Sequence, residues 1–345
     1  MTGPGEPARI YAIAEIGINH CGDMRIARDL VDMAKEAGAD AVKFQTFRTE
    51  LLVAREADRM PYQGADRCGN ITQFEMLKQV ELSEAQHIEL MDHCARVGID
   101  FLSTPYDTES FDMLKRLGAG TVKIASTDTT NLPFLRHIAA SGLSVICSTG
   151  VCDLWEVARA VDAFGDAGAL DRLTLLHCLS YYPAPPEEVN LRAIARMAAA
   201  FGVPVGYSDH TLSEEMGAWA VIAGAKVIEK HVTFDRSAPG PDHAASLTPD
   251  QFARYVANIR IAEASLGDGY KRVQPSERPV KQHMQKSLVA ARDMMPGHVM
   301  AADDLTTMRP ASGISPLFID DIVGMRLAVE KAAGTIINWC DLQRD

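Results

Sequence analysis

Short apolar runs alternate along the chain with longer segments in which apolar residues recur every three or four positions. The short runs are typical of buried strands and the longer segments of amphipathic helices, so the alternation from Ile10 onward predicts parallel βα units. Eight strands are expected, at Tyr11–Ile16, Ala41–Phe47, Phe101–Thr104, Thr121–Ser126, Ser144–Ser148, Thr174–Leu179, Val203–Tyr207 and Lys226–Val232. Eight such units that close on themselves form an α/β fold of the TIM (β/α)8 barrel type.

The first predicted helix, Ile26–Ala37, shows how these units are punctuated. Its apolar residues share one helix face, and Gly38 follows as a residue able to adopt the left-handed conformation that ends a helix. Glycine recurs in the same place after later helices, at Gly98, Gly118, Gly142, Gly202 and Gly224. One recurring unit therefore accounts for most of the chain.

The pattern changes near residues 274–279, after which short alternating runs and turns replace the helices. This change predicts a barrel domain over residues 1–270, a linker over 271–285 and a second domain over 286–345. A domain of about 60 residues is marginal alone. It is therefore expected to dock on a barrel, either its own or that of a neighbouring subunit.

Composition narrows the class of protein. The chain has 345 residues, 47% of them hydrophobic, with 34 basic and 46 acidic residues and hence a net charge of −12. An acidic surface disfavours nucleic acid and anionic membranes as partners, and no apolar stretch is long enough to span a bilayer. Residues 1–9 lack the pattern of a secretory signal, and seven cysteines occur singly. These features favour a cytoplasmic protein with reduced thiols.

One connection, Arg48–Glu81, is too long for an ordinary βα loop and is rich in polar residues, with Pro61, Gly64 and Gly69. Long loops at the catalytic end of a barrel are often lids. A surface excursion without a role is the other interpretation, and the sequence leaves both open.

The strand Lys226–His231 carries unusual side chains for a barrel interior. Val227, Glu229 and His231 share one face, because side chains alternate along a strand. A histidine satisfied by a backbone carbonyl is the plainer interpretation. A second strand that ends in Tyr-Ser-Asp-His places His210 at the same end of the barrel, so His210 and His231 form a candidate metal pair. Such a pair suits Mn²⁺, Mg²⁺ or Co²⁺ better than a structural zinc ion.

Polar residues recur where the predicted strands end, and these positions converge at the mouth of a barrel. Lys43 and Lys123 lie among hydroxyl groups, an arrangement that favours a phosphorylated ligand, although strand lysines are often surface groups. Glu15 is the candidate for handling a proton or positioning water. The set comprises Glu15, Asn19, His20, Lys43, Gln45, Ser103, Thr104, Lys123, Ser126, Asp128, Ser148, Thr149, His177, Ser180, Tyr182, Ser208, His210, Glu229 and His231.

Several motifs in this set resemble the sialic acid synthase family, and the resemblance covers nearly the whole chain in order. The C-terminal Met-Arg-Pro (308–310) and Gly-Ile-Ser-Pro (313–316) are similar to the family's antifreeze-like, or SAF, domain. The barrel motifs are Ala-Glu-Ile-Gly-Ile-Asn-His (14–20), Val-Lys-Phe-Gln (42–45), Lys-Ile-Ala-Ser (123–126), Ser-Thr-Gly (148–150), Leu-His-Cys (176–178), Tyr-Ser-Asp-His-Thr (207–211) and Gly-Pro-Asp-His (240–243).

The resemblance implies a metal-dependent condensation of phosphoenolpyruvate with an N-acylated amino sugar, which releases phosphate by C–O cleavage and gives a nonulosonic acid. The sugar is of the N-acetylmannosamine or 2,4-diacetamido-6-deoxymannose type. The family implies His210 and His231 as metal ligands, Mn²⁺ as the preferred ion, and a domain-swapped homodimer. Phosphoenolpyruvate would contact Lys43, Thr104, Lys123, Ser126, Ser148, Ser180 and Ser208. The sugar would contact Gln45, Asp128, Tyr182 and Asp242, with Arg309 supplied by the small domain of the partner.

Two positions depart from the pattern of N-acetylneuraminate-forming members, since Asp128 replaces a glutamate and Ser180 an asparagine. The stretch 240–246 is similar to both the neuraminate and the legionaminate branches. Two other functions remain open. A class I aldolase would form a Schiff base on Lys43 or Lys123 without a metal. A non-catalytic carbohydrate-binding protein would carry a degenerate barrel.

Overall fold

A computed structural model of the chain describes residues 9–55 and 72–343. The chain divides into two compact units, one through Gly267 and one from Asp268. No helix within the described ranges has the length and apolar character needed to cross a bilayer. The six cysteines within these ranges are free thiols.

The first unit is built on eight parallel strands in the order β3-β2-β1-β8-β7-β6-β5-β4. Neighbours in this order are joined by parallel ladders, and β3 and β4 approach one another to bring the ring close to closure. The strands are β1 (Tyr11–Gly17), β2 (Ala41–Thr46), β3 (Asp100–Pro105), β4 (Thr121–Ile124), β5 (Ser144–Ser148), β6 (Leu173–Cys178), β7 (Val205–Asp209) and β8 (Val227–His231). The predicted TIM barrel is confirmed.

Helices follow the strands and cover the outside of the ring. Pro204 has no N–H to donate to a ladder, so β7 begins at Val205, two residues later than predicted. The helices of this unit are α1 (Met24–Glu36), α2 (Thr49–Leu52), α3 (Gln73–Val80), α4 (Glu84–Val97), α5 (Thr108–Arg116), α6 (Leu132–Ala139), α7 (Leu154–Asp166), α8 (Arg192–Phe201), α9 (Met216–Ile222) and α10 (Pro249–Leu266).

The core has two layers because each strand buries both faces. Outward residues such as Val42, Phe44 and Ile228 pack against the helices, whereas a smaller apolar group inside the ring fills the half of the barrel away from the polar strand ends. That inner group is Ile13, Ala41, Leu102, Ile146, Leu176 and Val227. The other half of the interior is left to polar side chains.

Strand register decides which of these polar side chains become neighbours. Glu15 on β1 is paired with Lys43 on β2 and with His231 on β8. On the other side of β8, Glu229 is paired with Ser208 of β7. Residues separated by up to 216 positions in sequence therefore lie side by side at one end of the ring.

The second unit has its own apolar core, which includes Leu288, Ile314 and Ile337. Asp304 is buried in it and accepts hydrogen bonds from Arg292, His298 and the Ala301 amide. Its elements are α11 (Arg278–Met284), β9 (Ser287–Ala290), β10 (Leu305–Met308), α12 (Ile319–Ile322), β11 (Arg326–Leu327) and β12 (Leu342–Gln343), with β9 antiparallel to β10 and β11 to β12. Helix α11 falls in the interval predicted as a linker.

Candidate active site

A cavity of about 510 Å³ opens where the C-terminal ends of the barrel strands meet. Its polar wall is formed by side chains from several different strands, as expected for a barrel enzyme. The predicted site residues that line it are Glu15, Lys43, Gln45, Thr104, Lys123, Ser126, Ser148, Ser180, Tyr182, Ser208, His210, His231 and Asp242.

Four buried charged side chains form the floor of this cavity. Lys43 Nζ lies 2.7 Å from Glu15 Oε2 and 3.8 Å from Glu229 Oε2, and Lys123 Nζ lies 3.9 Å from Glu229 Oε1. None of the four residues is more than 4% exposed, which excludes the interpretation of Lys43 and Lys123 as surface lysines. Two cations balance two carboxylates, so protonating one carboxyl gives the floor a net positive charge.

The two carboxyl groups of the floor have opposite pKa shifts. Burial raises the pKa of Glu15 against the pull of Lys43, and the nearby charge of Glu229 raises it further. Burial also opposes ionisation of Glu229, but Lys123 and Lys43 outweigh burial and hold its pKa below the usual range. Glu15 is therefore the carboxyl that takes up a proton more readily, while Glu229 remains the counter-ion of the lysines.

The two lysines also differ in their surroundings. Burial lowers the pKa of Lys123, although Glu229 partly opposes this effect. Burial acts in the same direction on Lys43, but Glu15 and Glu229 outweigh it, and the pKa of Lys43 rises. Lys43 Nζ donates to Thr104 Oγ1 at 3.0 Å. A firmly charged lysine held beside a hydroxyl is a suitable contact for a phosphate oxygen.

Hydroxyl groups complete the floor around Lys123 and Glu229. Lys123 Nζ donates to Ser148 Oγ at 2.5 Å, and Ser208 Oγ donates to Glu229 Oε1 at 2.9 Å. Hydroxyl and ammonium groups arranged in this way can donate to several oxygens of one anion. The floor is thus suited to a small, multiply charged ligand.

Gly150 allows the hydroxyl groups on neighbouring loops to approach one another. A Cβ atom at this position would lie 2.1 Å from Ser180 Oγ and 2.8 Å from both Ser126 Oγ and Cys178 Sγ. The Gly150 amide also donates to Ser126 Oγ at 3.0 Å. Any side chain at position 150 would push these groups apart, so the glycine is part of the site.

The two predicted metal ligands lie together at one side of the cavity. The ring centroids of His210 and His231 are 5.6 Å apart, and the Tyr182 ring, tilted by 31°, lies 4.0 Å from that of His210. His210 Nδ1 lies 2.7 Å from the Leu179 carbonyl oxygen. Because a carbonyl only accepts, Nδ1 carries the proton and Nε2 keeps its lone pair.

His231 is not satisfied by a backbone carbonyl. Among the residues that the structure describes, its buried Nδ1 has no hydrogen-bond partner, and Asp242 Oδ2 lies 3.7 Å away. Burial lowers the pKa of His210 to about 4 and that of His231 well below its ordinary value, whereas burial raises the pKa of Asp242 to about 6. Both imidazoles are therefore neutral near pH 7, as metal ligands must be.

These residues fit a divalent ion with an incomplete protein shell. The neutral imidazole of His210, whose Nε2 lone pair lies 3.4 Å from Ser208 Oγ, and that of His231, whose buried Nδ1 has no partner among the described residues, are suitable donors. Over residues 9–55 and 72–343, no three His, Cys, Asp or Glu side chains form a complete cage. Water or substrate oxygens would have to supply the remaining ligands.

Two of the predicted sugar contacts do not line the cavity within the first unit. Asp128 lies in a short 3-10 turn, where its Oδ1 accepts from Asn131 Nδ2 at 3.0 Å. Arg309 is exposed in the second unit, and its Nε donates to the Met284 carbonyl oxygen at 3.1 Å. The structure brings together the other residues that the family resemblance implies, whereas five polar residues also noted at the strand ends do not line the cavity: Asn19, His20, Ser103, Thr149 and His177.

Two contributors received no role in the sequence analysis. Glu229 was noted from the sequence as an acid inside a strand, but its contact with both lysines could not be inferred from one strand. Gly150 belongs to the recognised Ser-Thr-Gly motif, yet the motif does not show what its glycine approaches. The sequence signal that pointed to Glu229 was the presence of a polar residue on the inward face of a buried strand.

The long connection after β2 supplies a further part of the cavity wall. Its described ends, 48–55 and 72–81, contain α2 and α3, and both helices contribute lining residues. Residues 56–71, where Pro61, Gly64 and Gly69 occur, lie outside the described residues. The apolar lining from this region and the β1–α1 loop consists of Ile18, Leu52, Val53, Met76 and Leu77.

Comparison with known proteins agrees with this architecture. The sequence pattern of the NeuB family matches residues 30–271, and that of the SAF domain matches residues 285–343. A solved structure of an N-acetylneuraminic acid (sialic acid) synthetase from Leptospira borgpetersenii superimposes with a TM-score of 0.69 at 34% identity, covering 79% of this chain and 90% of that one.

The curated relatives include several synthases. The N,N'-diacetyllegionaminic acid synthase of Legionella pneumophila is 44% identical over 339 residues, which cover 97% of this chain and 95% of the relative. The human N-acetylneuraminate-9-phosphate synthase is 34% identical over 321 residues, covering 92% and 89%. The predicted enzymatic character and family resemblance are confirmed, and this chain belongs to the NeuB family.

Proposed function

We propose that the chain catalyses the condensation of phosphoenolpyruvate with an N-acylated amino sugar of the mannosamine type, giving a nonulosonic acid and phosphate. The observation that carries the proposal is the cavity floor, where Lys43 and Lys123 lie among hydroxyl groups and two carboxylates with opposite pKa shifts. The relatives named as legionaminic and neuraminate synthases support the same chemistry. In a protein of net charge −12, affinity for a phosphorylated anion must come from such a local site.

The residues of the cavity floor have different roles in binding phosphoenolpyruvate. Lys43 and Lys123 attract the phosphate and carboxylate charges, and the hydroxyls of Thr104 and Ser148 orient the oxygens. Glu229 stays ionised and keeps the lysines in position.

In the proposed reaction, C3 of phosphoenolpyruvate bonds to the aldehyde carbon of the open-chain sugar, and the carbonyl electron pair moves to the sugar oxygen, which takes up a proton. C2 becomes an oxocarbenium centre, to which water adds with loss of a proton. The C2–O bond to phosphate then breaks while the C2 hydroxyl loses its proton, which the leaving phosphate takes up, and the 2-keto acid forms. Glu15 is suited to accept the proton of the attacking water, because its raised pKa allows it to bind and release protons.

His210 and His231 would hold a divalent ion, for which we propose Mn²⁺, with Mg²⁺ or Co²⁺ as substitutes. Such an ion would supply Lewis acidity toward the sugar carbonyl. The chain's own contribution is to fix the two imidazoles. The Leu179 carbonyl orients His210, and the Tyr182 ring packs against it.

A second candidate function is a class I aldolase, which one observation favours. A Schiff base requires a neutral amine, and burial lowers the pKa of Lys123. Glu229 and Ser148, however, both stabilise the charged form of this lysine. The aldolase would be indicated by borohydride trapping of pyruvate on Lys123, together with full activity in EDTA.

The deciding experiment uses phosphoenolpyruvate labelled with ¹⁸O at the bridging oxygen. The proposal predicts phosphate release that depends on both the amino sugar and the metal, with the label retained in the phosphate. Label left in the organic product would exclude C–O cleavage. Release that does not require a sugar would exclude the condensation.

We also propose a homodimer in the cytoplasm, with the partner's Arg309 completing each site. Variants Glu15→Gln and Arg309→Ala should each be inactive or strongly impaired, but co-expression should restore about one quarter of the wild-type activity, since half of the dimers are mixed and each has one intact site. No recovery in mixed dimers would place Arg309 in the site of its own chain, and full activity of Arg309→Ala alone would place it outside any site.

A further inference from the structure

We infer that Asn19 is a positioning residue for the proposed reaction: from outside the cavity, its side-chain amide anchors the loop that carries Asp242. This role rests on the proposed function and adds to it a residue that the cavity does not contain. The loop, called here the β8–α10 loop, comprises residues 232–248 and joins the end of β8 to the start of α10. Asp242 lines the cavity from this loop, whereas Asn19 does not line it.

The carboxyl group of Asp242 depends on its backbone for its position. Its Oδ2 lies 3.7 Å from His231 Nδ1, beyond hydrogen-bond distance. Within the described ranges the carboxyl accepts no hydrogen bond, and its raised pKa reflects burial, partly offset by the charge of Lys43. The contacts that fix the backbone of the β8–α10 loop therefore decide where this carboxyl lies in the cavity.

The β8–α10 loop leaves the barrel and returns to it at one place. The Val232 amide donates to the Glu15 carbonyl oxygen at 2.9 Å. The Leu247 amide donates to the His231 carbonyl oxygen, and the Thr233 amide donates to the Leu247 carbonyl oxygen, both at 2.9 Å. The two ends of the loop are therefore joined to one another beside β1 and β8.

Asn19 bridges this junction with two hydrogen bonds. Its Nδ2 donates to the Val232 carbonyl oxygen at 2.8 Å and to Ser246 Oγ at 2.9 Å. Because a carbonyl only accepts, the side-chain amide must turn its NH₂ group toward the loop. Ser246 Oγ in turn donates to the Asp242 carbonyl oxygen at 2.7 Å. Two successive hydrogen bonds thus connect Asn19 to the backbone of Asp242.

Burial makes these hydrogen bonds hard to replace. Asn19 is 2% exposed and Ser246 is fully buried, so water has little access to either group. Loss of the Asn19 amide would remove a donor from two buried acceptors, the Val232 carbonyl and the Ser246 hydroxyl. The loop would then have to move to satisfy them.

The turn after β1 brings Asn19 to the loop. Gly17 has a φ of +54°, and the Asn19 amide donates to the Ile16 carbonyl oxygen at 2.9 Å, which closes the turn. A Cβ atom on Gly17 would lie 3.0 Å from Glu15 Oε1. The end of β1 therefore supplies Glu15 to the cavity floor and, two residues after Gly17, the anchor of the β8–α10 loop.

Contacts within the loop transmit the anchor to Asp242. The His243 ring nitrogen Nδ1 lies 2.7 Å from Thr233 Oγ1, which joins the two arms of the loop. A Cβ atom on Gly240 would lie 2.6 Å from His243 Cδ2, so the loop packs closely on this ring. Cys21 Sγ also lies 3.4 Å from His243 Nε2, but a thiol is a weak hydrogen-bonding group. The loop therefore shifts as a unit when its anchor is lost.

The first test measures steady-state kinetics of Asn19→Ala with each substrate varied in turn. We expect the KM for the amino sugar to rise about tenfold, because Asp242 is displaced from the sugar. The KM for phosphoenolpyruvate should stay within about twofold, because Lys43 and Lys123 are held by contacts outside the loop. Equal increases in both KM values would show a general distortion of the cavity and would contradict the positioning role.

A double-mutant cycle shows whether Asn19 acts through Asp242. Asp242→Ala should lower kcat/KM for the sugar, and the further substitution Asn19→Ala should then lower it by less than about twofold. A full tenfold further loss in the double variant would mean that Asn19 acts independently of Asp242.

Asn258→Ala is the matched control, since it removes the same kind of hydrogen bond far from the cavity lining. Asn258 Nδ2 donates to the Glu214 carbonyl oxygen at 3.1 Å, between α10 and the segment before α9. Both KM values should be unchanged in this variant. Ser246→Ala should reproduce Asn19→Ala and replaces it as the test if Asn19→Ala does not fold. Wild-type KM values in Ser246→Ala would contradict the connection to Asp242.

Hydrogen exchange tests the anchor without reference to activity. The amides of Val232, Thr233 and Leu247 should exchange about tenfold faster in Asn19→Ala than in the wild type, and at the wild-type rate in Asn258→Ala. Unchanged exchange in Asn19→Ala would refute the anchor. Faster exchange, combined with a wild type that releases no phosphate with any amino sugar, would refute the proposed function and leave the anchor in place.

Discussion

Two clusters of buried charged side chains lie against the two faces of β8. Glu229 points into the barrel, and Lys230, the next residue, points outward toward the helices. Both clusters combine lysine with a carboxylate at no more than 4% exposure. They differ in how completely their hydrogen-bonding groups are satisfied, and that difference separates a structural cluster from a binding site.

In the outer cluster, the charged groups find their partners in one another and in neighbouring protein groups. Lys230 Nζ lies 3.3 Å from Asp209 Oδ2 and donates to the Thr211 carbonyl oxygen. Asp209 also accepts from the Tyr255 hydroxyl at 2.9 Å and from the Thr211 amide at 2.8 Å. These bonds tie the chain that immediately follows His210 to the strand that carries His231.

The inner cluster contains buried polar atoms without a hydrogen-bond partner among the described residues. Glu229 Oε2 is buried without a hydrogen-bond donor among the described residues, and Lys43 Nζ lies 3.8 Å from it. The Nδ1 atom of His231 is likewise unpartnered within these ranges. A buried polar group without a partner costs free energy. The cost is consistent with a site whose partners arrive with the substrates, whereas the outer cluster needs nothing further.

The largest effect is expected from breaking the inner cluster. Lys123→Met should lower kcat/KM for phosphate release by about 1,000-fold, because it removes a cation aimed at the anionic substrate. The free energy of unfolding should change by less than about 1 kcal/mol, since water in the cavity can solvate Glu229. A stability loss as large as the loss of activity would show that the inner cluster also serves the fold.

Removing the cation of the outer cluster should instead lower the stability of the protein. Lys230→Met leaves Asp209 buried without its cation and should lower the free energy of unfolding by about 3 kcal/mol. Denaturant titration of the purified protein measures this change. Tyr255→Phe is a milder control, which removes one hydrogen bond and should cost about 1 kcal/mol. Equal stability of Lys230→Met and the wild type would contradict a structural role.

A third variant tests the packing of the inner site. Gly150→Ala should raise the KM for phosphoenolpyruvate by about tenfold and cost about 2 kcal/mol of stability, because its Cβ would overlap Ser180 Oγ. Steady-state kinetics with varied phosphoenolpyruvate measures the first effect. Gly165→Ala is a suitable control, since the closest atom to its Cβ would be 3.8 Å away. An unaltered KM in Gly150→Ala would remove this glycine from the site.

Acidification should also destabilise the protein, but each titrating group should change the free energy of unfolding by less than the substitutions above. Burial is the main cause that lowers the pKa of five histidines, His20, His87, His177, His210 and His231. Their folded values lie below the ordinary value of 6.5, so the unfolded chain binds more protons below that pH. Stability should therefore fall as the pH decreases from about 6.5 toward 4.

Three carboxyl groups oppose this trend. Burial raises the pKa of Glu15, Asp128 and Asp242, so the folded chain binds more protons at these groups than the unfolded chain does. Because five histidines outnumber three carboxyls, we expect the melting temperature to decrease between pH 7 and pH 5. His177→Gln should reduce this slope. A melting temperature that rises on acidification would mean that the carboxyls dominate.

Much of the barrel was predictable because strand and helix periodicities are local properties. The eight strands were located to within a few residues, and the alternation along β8 correctly placed Glu229 and His231 on the inner face. Most predicted site residues line one cavity because the ends of parallel strands meet at one end of a barrel. Asp128 does not, since the 3-10 turn Ser126–Asp128 directs it to Asn131.

The sequence by itself determined the order of the elements, the inward and outward faces of each strand, and the kinds of chemical group at the strand ends. Backbone geometry imposes those periods wherever the residues occur. Only the tertiary structure decided that Glu15 has a raised pKa and Glu229 a lowered one, that Gly150 lies against three side chains, and that α2 and α3 form an apolar wall. These properties depend on distances between distant parts of the chain, which strand register and burial set together.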